Sequence, residues 1–233
     1  MSNQEPSVTR DMWAKVRALD TGTKITLGPN TADRYLTDPK RLVFFLSRYK
    51  FAAKMLKNAT AIVDIGCGDG FGTNTFIADT KASVKGIDFD AELIAHANGL
   101  QLELTRLYPE KGARLSFVNG DLLSMVTAPA YDGLSCMDVI EHIEPSRVAD
   151  FVRNVGGLLK DKGVAVIGTP NLHAKQYASP HSEIGHINDY DPIRLYDELR
   201  KEFSVVLQFS MNDEMVHTGF DKLAHYLVAV CIK

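Results

Sequence analysis

Apolar residues recur with two different spacings along this chain, and the change between them predicts where helices give way to strands. Between residues 11 and 58 the apolar positions follow the helical period, with Pro29 and Pro39 interrupting them. Segment 41–56 is the clearest predicted helix, because Pro39 lies near its first turn. Its apolar face consists of Leu42, Phe45, Leu46, Tyr49, Ala53 and Leu56. We therefore predict two or three helices that pack on the rest of the protein or cover its functional site.

From residue 61 onward, short apolar runs alternate with helical patterns, as in a parallel sheet whose strands are joined by helices. The predicted parallel strands cover residues 61–65, 84–88, 114–118, 132–137 and 163–168. A predicted helix at 192–201 is followed by two apolar runs, 204–209 and 224–232, with no helix between them. The expected fold is therefore α/β, with five parallel strands, an antiparallel edge hairpin and helices on both faces.

Length and composition indicate one structural domain. A chain of 233 residues fits a single α/β domain, and no linker-like stretch divides it. We expect residues 1–58 to form an N-terminal tail and capping helices, and residues 59–233 to form the α/β domain proper. The 45% share of hydrophobic residues is enough for a sizeable core.

Charge and cysteine content indicate which cellular compartment and which partners to expect. The formal net charge is −3 and no basic stripe is visible, so nucleic acid is not an expected partner. Cys67, Cys136 and Cys231 are far apart in apolar or glycine-rich segments, which predicts reduced thiols and a cytoplasmic location. Residues 1–10 are polar, and no segment approaches the roughly 18 apolar residues that span a bilayer, so neither secretion nor membrane insertion is expected.

A glycine-rich turn directly follows the first predicted strand, in the sequence IVDIGCGDGFG at 62–72. Gly66, Gly68 and Gly70 allow a left-handed backbone and a close approach by a ligand, and the next helix offers free N–H groups. Asp88, at the end of the second strand, lies 22 residues after Gly66. This is near the spacing of about 20 at which an acidic residue meets ribose hydroxyls, so the pattern predicts a nucleotide-containing cofactor.

The form of this turn separates two cofactor classes. An NAD(P)-dependent oxidoreductase needs G-x-G-x-x-G, whereas this chain has Phe71 at the last position and D-x-G-x-G-x-G overall. The chain instead resembles the class I S-adenosylmethionine-dependent methyltransferases, whose first motif is an acidic residue followed by alternating glycines. Further matches in the same order are NGDLL at 119–123, YDGLSCMDVIEHI at 131–143 and LLKDKGVAVIGTPN at 158–171. The resemblance covers residues 60–171 and implies a Rossmann-like fold with S-adenosylmethionine as the cofactor.

The resemblance also implies which residues bind the cofactor. Asp88 would contact the ribose, Asp121 the adenine amino group, and the strand that ends at Met137 the methionine part. The expected cofactor-binding residues are Asp64, Gly66, Cys67, Gly68, Gly70, Asp88, Phe89, Asp121, Leu122 and Met137. Taken alone, Asp88 and Asp121 could instead cap the helices that follow them, and Cys67 could be a small packing residue.

Two carboxylates and an imidazole follow the fourth strand, in DVIEH at 138–142. Methyltransferases of small-RNA terminal ribose and of quinone biosynthesis carry a similar E-x-x-E-H turn, and the RNA enzymes add a histidine from a later loop. The resemblance implies a Mn²⁺ or Mg²⁺ site formed by Asp138, Glu141, His142 and His186, although Asp138 is a shorter arm than the glutamate of those families.

Three roles of this turn stay open at the level of sequence. A cation would lower the pKa of an acceptor hydroxyl, or a metal-free His142 would remove its proton. In the third, Glu141 and His142 only hydrogen-bond the cofactor or start a helix. We take Asp138, Glu141 and His142 as the catalytic candidates.

Loops 171–190 and 211–223 are polar and supply the candidate acceptor contacts Asn171, His181 and His217. Without a separate substrate domain, the chain resembles methyltransferases of small molecules. We therefore expect O-methylation of a small hydroxylated acceptor such as a sugar or nucleotide sugar, and the chain ends resemble bacterial proteins of surface-polysaccharide biosynthesis. The alternatives are an RNA terminal-ribose methyltransferase and a catalytically silent subunit with the methyltransferase fold.

Overall fold

The computed structural model of the protein describes residues 8–19 and 22–233, apart from the side chains of Pro180 and His181. The strands are β1 Ala61–Ile65, β2 Ser83–Asp88, β3 Leu115–Asn119, β4 Tyr131–Met137, β5 Leu159–Pro170, β6 Val205–Asn212, β7 Met215–His217 and β8 Tyr226–Ile232. The helices are α1 Val8–Ala18, α2 Pro29–Thr37, α3 Pro39–Met55, α4 Asn74–Asp79, α5 Ala91–Leu107, α6 Pro109–Gly112, α7 Val148–Leu158, α8 Pro180–Gly185 and α9 Pro192–Leu199.

The strands form one sheet in the order β3-β2-β1-β4-β5-β8-β6-β7. β1 to β5 are parallel, as predicted, and each predicted strand overlaps its observed counterpart. The chain order reverses between β1 and β4, and such a reversal opens a crevice at the carboxyl ends of the two strands. This crevice lies directly beyond Ile65 and Met137, where the candidate motifs begin.

The antiparallel part of the sheet differs in detail from the predicted edge hairpin. β8 lies between β5 and β6 and pairs antiparallel with both. A third antiparallel strand, β7, adds to the outer side of β6 after a turn at Asp213, whose φ is 48°. The sequence prediction missed β7 because a strand of three residues is too short to show an alternating pattern.

Helices cover both faces of the sheet, as predicted. Neighbouring strand residues point to opposite faces, so Ile62 joins one core cluster and Val63 the other. The cluster around Ile62 is covered by α3, α4 and α5, and the cluster around Val63 by α7 and α9. The predicted helix at 41–56 is α3, and its Tyr49 is 1% exposed, so α3 is part of the core. No helix of the described ranges is long and apolar enough to cross a membrane.

Candidate functional site

A cleft of about 610 Å³ opens where the chain order of the sheet reverses. One wall is formed by α2 and α3, and the other by the loops that follow β1, β2, β3 and β4. The predicted cofactor-binding residues that line it are Gly66, Cys67, Gly68, Asp88, Phe89, Asp121, Leu122 and Met137. The cleft therefore joins most of the predicted cofactor residues in one space.

The glycine turn has the backbone that its composition predicts. Gly66 has φ 70°, and a Cβ atom there would lie 2.2 Å from Val139 Cγ2. Gly68 has φ 55° and lines the cleft, with Asn30 Nδ2 at 3.6 Å as the nearest atom to a Cβ built on it. Residues other than glycine would be strained at both positions, and a side chain at Gly68 would occupy ligand space.

Asp88 stabilises the glycine turn while it faces the cleft. Its two carboxylate oxygens accept hydrogen bonds from the backbone N–H groups of Gly68 (2.8 Å) and Asp90 (2.9 Å). The N-cap of α5 is Asp90, whose side chain accepts from the N–H groups of Glu92 and Leu93. Asp88 is therefore not the helix cap that its position alone allowed.

Asp121 lies at the exposed edge of the cleft, after β3. Its side chain is exposed and accepts a hydrogen bond from the Leu123 N–H group at 2.9 Å, so it stabilises the turn that follows β3. It also lines the cleft, and in the part of the chain that the structure describes no helix begins between it and β4, so Asp121 is not the helix cap that its position alone allowed.

Asp64 and Gly70 were predicted to contact the cofactor, but the structure places both beneath the turn. Asp64 is 0% exposed and accepts a hydrogen bond from the Thr73 hydroxyl at 2.6 Å, and burial raises its pKa to about 7. A Cβ atom on Gly70 would lie 2.7 Å from Phe117 Cζ, so this glycine permits close packing. Both residues support the turn because they lie on its core side.

Cys67 lines the cleft but is 4% exposed. Burial raises the pKa of its thiol well above the ordinary value, which keeps the thiol neutral. This environment favours the packing role over a nucleophilic one.

Glu141 is a buried carboxyl next to the cleft residue His142, and it borders a neighbouring cavity and not the cleft itself. It belongs to the one-turn 3₁₀ helix Ile140–His142 and is 2% exposed. Its Oε2 accepts a hydrogen bond from the Thr169 hydroxyl at 2.9 Å, whereas its Oε1 has no hydrogen-bond partner among the described residues. Burial, and next the charge of Asp138, raise the pKa of Glu141 to about 8.

His142 and His186 meet beside Glu141. Their rings are 5.1 Å apart between centroids, and His142 Nδ1 lies 2.8 Å from the Gly185 carbonyl oxygen. Since a carbonyl only accepts, Nδ1 carries the proton in this bond, and Nε2 of the neutral ring keeps its lone pair. Burial, and then the neighbouring His142, lower the pKa of His186. One ligand atom from each of Glu141, His142 and His186 lies within 4.8 Å of the others.

Asp138 does not join this group, contrary to the four-residue set expected from the sequence. Its backbone φ is 57°, and its carboxylate accepts two hydrogen bonds from Arg48 Nη1, at 2.7 and 2.8 Å. Burial opposes its ionisation, but the charge of Arg48 outweighs that effect and lowers the pKa of Asp138. The Arg48 guanidinium also stacks on the Tyr226 ring, 3.7 Å from the centroid. The short side chain and this ion pair explain why Asp138 stays apart.

Comparison with known proteins agrees with this geometry. Residues 62–163 match the family model described as a methyltransferase domain. The matched segment is similar to a methyltransferase domain and makes up less than half of this chain. A ubiquinone biosynthesis O-methyltransferase of Rickettsia felis is 29% identical over 117 residues, which are 50% of this chain and 43% of that protein. The chain thus spans less than half the length of this curated relative.

Two solved structures have a fold similar to that of this chain. The methyltransferase domain of bacterial CtHen1-C has a TM-score of 0.66 and 18% identity, and covers 80% of this chain and 97% of its own. The 1,6-didemethyltoxoflavin-N1-methyltransferase of Burkholderia thailandensis, solved with bound 1,6-didemethyltoxoflavin and S-adenosylhomocysteine, has a TM-score of 0.61 and 15% identity. That match covers 100% of this chain and 93% of the other. Identities this low show the fold and leave the acceptor open.

The side chains of the predicted acceptor contacts largely bind other parts of the protein. Asn171 is 2% exposed, and its Nδ2 donates to the carbonyl oxygens of Asp221 (2.8 Å) and Ala224 (3.0 Å). It borders a neighbouring cavity of about 790 Å³, not the main cleft. These hydrogen bonds favour a structural role for Asn171, as the link between two loops.

His217 and His181 have different outcomes. Both ring nitrogens of His217 are bonded within the β6–β7 hairpin, to Asn212 Oδ1 and to the Gly219 N–H group, each at 2.9 Å. Among the described residues, none from 211–223 lines either cavity, because this loop forms the sheet edge. The predicted wall at 211–223 is therefore wrong for this cleft. The side chain of His181 lies outside the part that the structure describes.

Sequence reasoning missed three arginines of the cleft, Arg34, Arg41 and Arg48. The last two are seven residues apart on α3 and therefore lie on one face, two turns from each other. The sequence did contain a signal for these two arginines. They lie beside the apolar face of a helix that we expected to cover the site.

Proposed function

We propose that this chain transfers the methyl group of S-adenosylmethionine to a hydroxyl of a small acceptor, such as a sugar or nucleotide sugar. The observation that carries the proposal is the content of one cleft. At one end are the glycine turn, Asp88 and Asp121, and at the other are His142 and His186, with the buried Glu141 next to them. Cofactor and acceptor would meet between them.

The residues present fit the cofactor. Each oxygen of a carboxylate has about two acceptor positions, and Asp88 uses one on each oxygen for the backbone. The remaining two would accept from the two ribose hydroxyls, while Gly68 leaves room for the ligand beside the backbone. Asp121 would contact the adenine amino group. The bound cofactor supplies an electrophilic methyl group on a sulfonium.

His142 is the group best placed to take the acceptor proton. Its Nδ1 donates to Gly185, which orients the ring and leaves Nε2 as the acceptor of a proton. A hydroxyl is a poor nucleophile near neutral pH, so this proton transfer would raise the reactivity of the oxygen.

The same residues fit a divalent cation. Glu141, His142 and His186 would hold it, and it would supply the missing partner of the buried Glu141 Oε1. The hydrogen bond from a ring nitrogen to a backbone carbonyl is typical of histidines that bind metals. Mixed carboxylate and imidazole ligands favour Mn²⁺ or Mg²⁺, whose charge would lower the pKa of the acceptor hydroxyl.

The acceptor class is tested by transfer of a labelled methyl group from S-adenosylmethionine to four sets of acceptors. These are nucleotide sugars, free sugars, catechols related to ubiquinone precursors, and a short RNA with a free terminal ribose. We expect an O-methylated sugar product, which would also support a role in polysaccharide biosynthesis. Methylation of RNA or catechol alone would replace this acceptor class. Cofactor binding without transfer to any acceptor would favour a silent subunit.

A chelator separates the two ways of activating the hydroxyl. If a metal acts, chelation abolishes turnover and Mn²⁺ or Mg²⁺ restores it, and His186→Gln loses this response while it still binds cofactor. Turnover that survives chelation but is lost in His142→Gln would support the metal-free base.

A further inference from the structure

We propose that the acceptor carries a phosphate group and that Arg34 and Arg41 bind it, an inference that rests on the proposed function. Both side chains line the cleft from the helical wall and are partly buried there. Within the described residues, neither guanidinium forms an ion pair, whereas Arg48 is neutralised by Asp138. The charge of Arg34 helps to lower the pKa of Asp138 without an ion pair between them. Two guanidinium groups in a concave site that form no ion pair with a described residue favour an anionic ligand.

The charges of the cleft are divided between its two walls. Asp69, Asp88, Asp90 and Asp121 lie on the strand side, where the cofactor would bind. The arginines lie on the helical side. The cofactor, which carries a positive sulfonium, would thus bind on the acidic wall, and the basic helical wall is left for an anionic group.

Arg34 is held in a fixed orientation. Its guanidinium carbon lies 4.3 Å from the centroid of the Phe45 ring, and Phe45 in turn packs on Tyr49 with 5.0 Å between ring centroids. A guanidinium stacked on an aromatic ring keeps its N–H donors in one plane. Such a planar set of donors matches two phosphate oxygens at once.

The distance from Arg41 to the reaction end of the cleft fits a phosphorylated acceptor. It precedes Arg48 by two turns of α3, or about 10 Å along the helix axis. Arg48 contacts Asp138 at the reaction end, whereas Arg41 also borders the neighbouring cavity. An anion on Arg41 would thus be separated from the reacting hydroxyl by roughly the length of a phosphorylated sugar, and the neighbouring cavity gives room for a longer group.

Calorimetric titration of the protein saturated with S-adenosylhomocysteine tests this inference. The probes are inorganic pyrophosphate, uridine diphosphate and glucose 1-phosphate. We expect binding by the wild type, and binding about 10- to 100-fold weaker in Arg34→Gln and Arg41→Gln, the loss for hydrogen bonds between charged groups. Lys50→Gln is the matched control, because Lys50 carries the same charge on an exposed part of α3.

Each outcome has a separate meaning. Binding of uridine diphosphate, glucose 1-phosphate or both supports the inference, and the preferred probe distinguishes a nucleotide sugar from a sugar phosphate. A wild type that binds S-adenosylhomocysteine but none of the probes overturns the inference and leaves the proposed function standing. Arginine variants that lose S-adenosylhomocysteine instead of the probes also overturn it, because the arginines would then hold the cofactor carboxylate. A wild type that fails to bind S-adenosylhomocysteine overturns the proposed function and this inference with it.

Discussion

Replacement of Asp64 by asparagine should change how the stability of the protein depends on pH. Asp64 is fully buried beneath the glycine turn, where burial raises its pKa to about 7 from the ordinary 3.8. An asparagine keeps an oxygen that accepts the hydrogen bond from Thr73, but it cannot ionise. The variant therefore isolates the cost of the buried charge.

The sign and size of this effect on the free energy of unfolding follow from the pKa difference between the folded and unfolded states. Because the folded pKa lies above the unfolded one, the carboxyl contributes its full stability below about pH 4, and that contribution is lost as the pH rises through 7. The difference between the folded and unfolded pKa values corresponds to at most about 4 kcal/mol of unfolding free energy at pH 8. The wild type should therefore lose stability between pH 5 and pH 8 relative to Asp64→Asn.

Urea unfolding followed by circular dichroism at pH 5, 6, 7 and 8 measures this difference. Asp132→Asn is the control, because burial opposes ionisation of Asp132 but hydrogen bonds from Thr60 and Ala61 outweigh it and lower its pKa. Asp132 is then ionised in both states over this range, so its variant should lose the same free energy at every pH. Parallel pH profiles for the wild type and Asp64→Asn would refute the reasoning.

Three further predictions concern other parts of the site. Gly66→Ala should lose about 2 kcal/mol of stability or more in thermal unfolding, because of its positive φ and the 2.2 Å approach to Val139; an unchanged Tm would contradict this. Arg48→Met should cost about 1–3 kcal/mol, and Asp138→Asn in the same chain should recover part of it; strict additivity in urea unfolding would exclude the coupling. Mn²⁺ should raise the Tm of the wild type but not of His186→Gln, and an equal rise in both would argue against the metal site.

The sequence predicts the parts of the fold and the site that depend on residues close together in the chain. The five parallel strands follow from local runs of apolar residues, and the glycine turn follows from alternate positions that need a left-handed backbone. Asp88 is recognisable because the end of β2 is fixed relative to the turn after β1. These features lie within a few residues of each other, or on adjacent strands of known direction.

The features that the sequence did not predict depend on contacts between residues far apart in the chain. Asp138 has the spacing of a metal ligand, but Arg48, 90 residues earlier, captures its carboxylate. Asn171 stands in a polar loop, yet its amide is used by the carbonyl groups of Asp221 and Ala224. β8 enters the sheet between β5 and β6, a placement that chain order does not indicate. Each of these depends on a contact between residues that lie far apart in the sequence.

The central claim is that the cleft binds S-adenosylmethionine through the glycine turn and Asp88. Calorimetric titration of the wild type and of Asp88→Ala with S-adenosylhomocysteine and with NAD tests it most directly. We predict that the wild type binds S-adenosylhomocysteine with one site per chain, that Asp88→Ala weakens this binding by about 1.5–3 kcal/mol, and that NAD does not compete. Equal affinity in the two proteins, or displacement of S-adenosylhomocysteine by NAD, would contradict the account.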